Sequence, residues 1–233
     1  MGFYRGPKIV TDGLVLYLDA ANTKSYDGTT TTVNDLSGNG NNATLINGVG
    51  FTTDNNGAFV FDGANDYGVL DITSGLNFQD ITFTVIAKIP QNNNAALLYI
   101  FNSGGYLCVG RHGGGIIGPP NGESFSRINT TPNGQTVIKG GEYRFMDNLY
   151  HDFTFTRINN TDTFYVDGIS VGAVNTSFSN NIPTQLYPIE IGQRINSPYF
   201  STITASIYKI YNRALTPEEV FKNYNATKSR YLR

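Results

Sequence analysis

The 233-residue chain is 39% apolar, 13% aromatic and 15% charged, and it contains no tryptophan. That length suits one large β-domain whose core can fold without metal or disulfide staples. Sixteen Lys and Arg against eighteen Asp and Glu leave a net charge of −2, which gives no electrostatic footprint for nucleic acid.

Residues 1–12 carry Phe3, Tyr4 and Ile9 among glycine and proline without alternation. Two readings stand for them: an arm docking on a neighbour, or an irregular lead-in. They hold no apolar h-region, so Sec export is not expected. No apolar run approaches the roughly 18–20 residues of a bilayer span. From residue 13 to 233 a single domain is expected, with no dividing linker and no internal repeat.

Short strand candidates fall at 14–18, 58–62 and 67–71. Then Ile81, Phe83, Val85, Ala87 and Ile89 alternate with Thr82, Thr84, Ile86 and Lys88. Successive strand side chains point to opposite faces, so this pattern marks a strand with one face in a core. Segments 97–101, 105–110 and 135–138 are further candidates, and the Gly-rich stretch 102–122 reads as a long surface loop. Cys108, the only cysteine, excludes an internal disulfide and reads as a buried, inert thiol among apolar neighbours. His151, Phe153 and Phe155 alternate with Asp152, Thr154 and Thr156. Phe164–Val166 and Ile169–Val171 flank Asp167-Gly168, a pair suited to a type I′ hairpin turn. A candidate at 187–191 precedes Ile203, Ala205, Ile207 and Lys209, which alternate with Thr204, Ser206 and Tyr208. Many short strands separated by such turns predict an all-β sandwich or jelly roll.

A short helix closes the chain. Thr216 can cap it, Pro217 suits its first position and Glu219 completes a capping box. Val220, Phe221 and Tyr224 are expected on its packed side. Lys222, Lys228, Arg230 and Arg233 read as a solvated face.

Motifs that carry chemistry fail their structural conditions. Gly113-X-Gly115-X-X-Gly118 matches a dinucleotide fingerprint, but Pro119-Pro120 forbid the helix that fingerprint needs. Asp35-X-Ser37-X-Asn39-Gly40 resembles the start of a calcium loop, yet Ile46 stands where a bidentate Glu belongs. A turn built from Asx side chains is the first reading of that stretch. A calcium ion held by Asp35, Asn39 and another loop is the second. No Glu-X-Asp-X-Glu run offers the acid pair of a β-sandwich glucanase. Asp62 and Asp66 flank a turn and read as structural caps. No Gly-X-Ser-X-Gly elbow exists, and His151 and Asp152, adjacent on a strand, do not form a catalytic pair. With two histidines, a His-rich zinc site is not expected. Tyr106, Arg111, His112, Asn121 and Tyr199, in or near predicted loops, are the candidate ligand contacts.

The ordered motifs resemble a known family. Gly13–Ala20, Asn34–Leu45, Phe59–Tyr67, Phe164–Gly168 and Ile207–Val220 resemble LamG-like, concanavalin A-like domains in sequence and in order. That resemblance implies a concanavalin A-like jelly-roll β-sandwich with a C-terminal helix. Val33 and Ile86 stand where such domains often carry Trp, which weakens sugar stacking. Gly2–Val10 and Asn223–Lys228 look like the ends of LamG-like virion structural proteins of tailed phages, especially those of marine hosts. The resemblance implies a non-enzymatic virion component, assembled in the host cytoplasm as a head decoration, fibre or tail part. Its expected partners are other virion proteins, copies of itself and host-surface glycan, with no nucleic acid and no membrane insertion. The alternative is a lectin-like carbohydrate-binding module without a structural role. A glycoside hydrolase is the third class, and no acid pair supports it.

Overall fold

A computed structural model describes residues 7–72, 76, 80–90, 95–102, 105–111, 125–130, 134–139, 147–159, 161–175, 189–193 and 200–231. The first strands are β1 (Leu14–Asp19), β2 (Thr32–Val33), β3 (Ala43–Ile46), β4 (Gly50–Thr52), β5 (Ala58–Asp62) and β6 (Tyr67–Leu70). Then come β7 (Ile81–Lys88), β8 (Ala95–Asn102), β9 (Gly105–Arg111), β10 (Phe125–Thr130) and β11 (Gly134–Lys139). The last are β12 (Tyr150–Ile158), β13 (Thr161–Val166), β14 (Ile169–Asn175), β15 (Ile189–Ile191) and β16 (Thr202–Tyr211), before helix α1 (Pro217–Tyr231).

The strands form two eight-stranded antiparallel sheets. Sheet A runs β14-β13-β12-β7-β16-β5-β4, with β1 also paired to β16. Sheet B runs β11-β10-β9-β8-β15-β6-β3-β2. The predicted all-β sandwich with a closing helix is the observed architecture. Asp167 and Gly168 both take positive φ, 52° and 76°, as a type I′ turn requires. Strands β2, β3, β4 and β10 are too short or too polar to show in the sequence pattern. The stretch 102–122 is not one continuous loop, because β9 occupies Gly105–Arg111.

Alternation places Phe83, Val85 and Ala87 of β7, Phe153 and Phe155 of β12, and Phe164 and Val166 of β13 in the core between the sheets. In β16 the pattern breaks. Against β7, Ala205 pairs with Ala87 and Ile207 with Ile86, so β16 carries one extra residue there. A bulge of this kind reverses the facing of everything beyond it. Ile203 and Ala205 therefore join Tyr208 and Ile210 in the intersheet core. Ile207, Lys209 and Tyr211 lie on the opposite face of the sheet. The uniform alternation expected for 203–209 is corrected accordingly.

That opposite face is covered by α1. The helix begins with the predicted box: Glu219 N–H donates to Thr216 Oγ1 at 3.3 Å, and Thr216 N–H to Glu219 Oε2 at 3.0 Å. Its buried residues are Val220, Asn223 and Thr227, spaced at helical periodicity. Phe221, expected on the packed side, is 49% exposed. Arg230 does not belong to a solvated face: it grips the buried Asp19 with two hydrogen bonds of 3.0 and 2.9 Å.

The described part of the N-terminal lead-in docks on its own chain. Val10 is buried beside Tyr211, Leu215 and Val220. Its N–H donates to Asn223 Oδ1 at 2.8 Å, and its carbonyl accepts from Tyr211 Oη at 3.1 Å. Asn223 Nδ2 donates in turn to Tyr211 Oη at 3.0 Å. We predict that Asn223→Ala, which strands the buried Val10 N–H, destabilises the fold by about 2 kcal/mol in urea unfolding. An unchanged midpoint would show that this junction contributes nothing.

Candidate functional site

Where α1 crosses the start of β12, a crevice opens between helix and sheet. Tyr150, Asp152 and Asp167 line it from the sheet, and Tyr224, Lys228 and Tyr231 from the helix. The elements are set by local chemistry. The tight turn at Asp167-Gly168 brings its backbone under Phe221 and Tyr224, where a Cβ on Gly168 would stand 3.0–3.1 Å from both side chains. Tyr150 and Tyr231 then meet with ring centroids 5.3 Å apart.

His151 also lines the crevice and joins two segments. Its Nδ1 lies 2.7 Å from Asp167 Oδ2, and its Nε2 lies 3.3 Å from Asp147 Oδ1. Asp167 Oδ1 meanwhile accepts from the Asp152 N–H at 3.0 Å. Burial works against a charged ring, but the hydrogen bond and charge of Asp167, with Asp147 behind them, hold His151 above its ordinary range. A ring with a carboxylate at each nitrogen donates from both, which is the imidazolium form. In that form it is a cross-link between the 147–149 turn and the β13–β14 hairpin, with no lone pair for proton abstraction.

Asp152 turns toward the sheet's covered face instead. The row beneath α1 runs Tyr165, Thr154, Thr84, Lys209 and Tyr17 across five paired strands. Thr84 and Thr154 share a hydrogen bond of 2.9 Å, and Thr154 Oγ1 donates to Asp152 Oδ1 at 2.8 Å. Lys209 is 0% exposed and Asp152 4%. Burial pushes Asp152 up and Lys209 down, and their mutual attraction opposes both shifts. Among the described residues, Lys209 Nζ, Asp152 Oδ2 and Tyr150 Oη are buried without a hydrogen-bond partner. Sequence reasoning missed this cluster because its members come from three strands far apart in the chain, β7, β12 and β16. Lys209 inside an apolar strand was the visible signal.

The sequence-predicted residues lie elsewhere. Asp35 anchors a turn: Oδ1 accepts from the N–H groups of Tyr17 and Ser37 at 2.9 and 2.8 Å, and Oδ2 from Ser37 Oγ and Asn41 N–H at 2.6 and 3.1 Å. Asn39 turns its amide nitrogen inward to Leu14 O and Val15 O. Both Asp35 oxygens accept from donors of this chain, which is the arrangement of an Asx turn. Asp62 and Asp66 cap their turn as expected, with Asp62 N–H donating to Asp66 Oδ2 at 3.3 Å. Tyr106 and Arg111 occupy opposite ends of β9, about 17 Å apart along the strand. The structure therefore does not bring these two together. His112, Asn121 and Tyr199 lie outside the described residues, as does Gly113–Pro120.

Comparison with known proteins agrees with this architecture. Residues 61–221 match the Laminin_G_3 model, described as the concanavalin A-like lectin/glucanases superfamily. No curated protein matches the sequence. The fold is similar to the binding domain of Paraclostridial Mosquitocidal Protein 1, at 17% identity and TM-score 0.69, covering 93% of this chain and 52% of that one. It is also similar to domain 4 of AbnA, an extracellular arabinanase from Geobacillus stearothermophilus, in complex with arabinotriose. There the identity is 14% and the TM-score 0.67, covering 94% of this chain and all of that one. Trypanosoma rangeli sialidase in complex with sialic acid is a further likeness, at 13% identity and TM-score 0.64, with 99% of this chain and 37% of that one covered. The chain thus spans about half of the mosquitocidal domain and a little over a third of the sialidase. At these identities the likeness is one of fold.

Two predictions follow from the charges under α1. The raised pKa means that His151 stabilises the fold fully below its ordinary value of 6.5, and that this contribution is lost as pH rises through the higher, folded value. Wild-type stability should therefore drop between pH 6 and pH 9 more steeply than that of His151→Gln, measured by urea titration; parallel profiles would refute the cross-link. Lys209→Met alone should cost about 3–5 kcal/mol, because it leaves Asp152 buried without its counter-charge. Adding Asp152→Leu should return most of that loss, giving a coupling energy that a double-mutant cycle reads directly.

Proposed function

The chain belongs to the concanavalin A-like lectin/glucanases superfamily, and from that premise we propose that it is a non-enzymatic structural domain of a tailed-phage virion that engages host-surface glycan. It sits on the particle as a capsid decoration, fibre or tail component. Its partners are other virion proteins, further copies of itself and the glycan.

One observation carries the virion reading. Val10 and Asn223, one residue from each of the two stretches with the narrower phage resemblance, are joined by a hydrogen bond of 2.8 Å across 213 positions, which supports reading the two stretches together. The non-enzymatic reading is supported by the carboxylates. Asp19 is held by Arg230, Asp162 by Arg157, Glu219 by Arg213, and Asp35 by four donors. A glycosidase needs two carboxyls flanking a sugar bond, one of them able to protonate it. These groups are committed to holding strands and turns.

A second reading, a lectin-like module without a structural role, is favoured by the arabinotriose-bound neighbour, whose whole length this chain covers. The two separate in one pair of measurements. Mass spectrometry of purified virions should find the chain in stoichiometric amount, and a particle reconstruction should locate it. Virions that lack the chain, together with glycan-array binding by the isolated protein, would replace the first reading with the second.

A further inference from the structure

Five asparagines in this chain are followed directly by glycine, at positions 39, 47, 56, 121 and 133. Such a pair offers the least hindrance to loss of the side-chain amide, because glycine has no Cβ to block attack by its own backbone nitrogen. That nitrogen gives up its proton and bonds to the asparagine Cγ, and the Cγ–Nδ2 bond breaks to release ammonia. Water then opens the cyclic imide at either carbonyl, leaving aspartate or a β-linked isoaspartate. In sum, one water is consumed and one ammonia released, with no oxidant or cofactor. Asn121 and Asn133 lie outside the described residues, and the fold treats the other three differently.

Ring closure needs a side-chain amide that can rotate onto the next residue and a backbone N–H open to water. Asn56 fails the second condition. Gly57 is buried, its N–H donates to Asp54 O at 3.0 Å, and a Cβ there would stand 2.6 Å from Ala20 O. Asn39 fails the first. Its Nδ2 lies 3.0 Å from Leu14 O, 3.3 Å from Val15 O and 2.9 Å from Ser37 Oγ, so the amide is committed to closing the edge of β1. Asn47 meets both conditions. With Gly48 it forms an exposed turn between β3 and β4, the two residues at φ of 62° and 91°. No described group accepts from the Gly48 N–H, and a Cβ on Gly48 would meet nothing within 4 Å. One bond holds the side chain, from Nδ2 to Asn65 O at 3.0 Å. That bond is exposed, so water competes for both partners.

We infer that Asn47-Gly48 is a site of spontaneous deamidation, the fastest of the three described Asn-Gly pairs, and that the fold rather than the local sequence selects it. The product differs from the parent at a structural link. Asn47 Nδ2 is the donor that ties the β3–β4 turn to the turn after β5, and a carboxylate in its place only accepts. Isoaspartate also lengthens the main chain by one carbon in the connection that carries the chain from sheet B to sheet A. The link between the two turns is therefore lost in converted molecules, while the pairing of β5 with β16 is untouched.

The test incubates the full folded chain in mildly alkaline buffer and follows each asparagine by peptide mass spectrometry. Labelling with an isoaspartyl methyltransferase identifies the β-linked product. Conversion at Asn47 should run about tenfold or more faster than at Asn39 or Asn56. A parallel incubation in urea, above the unfolding transition, separates fold from sequence. There Ile46 precedes Asn47, whereas Gly38 and Asn55 precede the other two, so a bulky β-branched neighbour gives Asn47 no local advantage and its lead should vanish. Conversion at Asn47 no faster than at Asn39 or Asn56 in the folded chain would overturn the inference. A lead that survives unfolding would overturn it as well, because the local sequence and not the fold would then select the site.

Discussion

The structure depends on one inserted residue. Ser206 is the extra position in β16, and it is held from three directions. Its carbonyl accepts from the Ala20 N–H at 2.9 Å, its hydroxyl donates to Gly57 O at 2.7 Å, and the same oxygen accepts from Tyr231 Oη at 2.9 Å. Those three partners belong to the end of β1, the turn before β5 and the last turn of α1. The bulge is therefore fixed jointly by the sandwich and by the helix that covers it. Its consequence is geometric. Upstream of Ser206, Ile203 and Ala205 face the other sheet; downstream, Tyr208 and Ile210 do, and Ile207, Lys209 and Tyr211 are handed to the helix. Strand β1 answers with an irregularity of its own between Leu14 and Leu16, keeping Leu16 and Leu18 in the core.

Burial on both faces explains the charge arrangement of sheet A. An antiparallel sheet usually keeps one face wet, and its outward threonines need no partners. Here Thr82, Thr84, Thr154 and Thr156 are all buried beneath or beside α1, so their hydroxyls must bond to the chain. Thr84 and Thr154 bond to each other, and Thr82 donates to Arg213 O while accepting from Leu215 N–H. Charges are matched across the same face. Asp152 and Asp19 end one row, with Ile86 and Ile207 between them, and Lys209 stands in the next row. Arg230 neutralises Asp19 from the helix, which leaves Lys209 to Asp152. Such buried ions contribute little net stability. They do penalise any slip of β16 by one residue, because a slip would drive Lys209 into the intersheet core.

Much of this was legible in the sequence, for a physical reason. The core strands β7 and β12 alternate over most of their length, the hairpin turn after β13 carries Asp-Gly, and the helix announces itself with Thr-Pro-Glu-Glu; each signal is local. The bulge was not legible. Its evidence lies in the pairing of Ala205 and Ile207 with consecutive residues of another strand more than a hundred positions away. Nothing in the run Ile203–Lys209 distinguishes an uninterrupted alternation from a reversed one. The candidate site was hidden for the same reason. His151 beside Asp152 suggested a pair to be dismissed, and the true partners, Asp147 and Asp167, come from a turn and a hairpin that only the fold brings together. Arg230 looked like part of a solvated basic run because its partner, Asp19, lies 211 residues earlier.

The helix also divides the surface. A sheet face lying under fifteen residues of α1 is not an open platform. Sheet B differs at β15, the strand that pairs with β8 and β6. Ile189 and Ile191 of β15 enter the core, and Glu190 between them turns to the outer face. Gln193 Nε2 steadies its carboxylate at 2.7 Å, and burial holds its pKa above the usual carboxylate range. Glu190 is thus steadied by a neutral amide, whereas Asp19 and Asp162 of sheet A are paired with arginine. Sheet A with α1 carries the junction of Val10 with Asn223, and among the described residues no helix covers the outer face of sheet B.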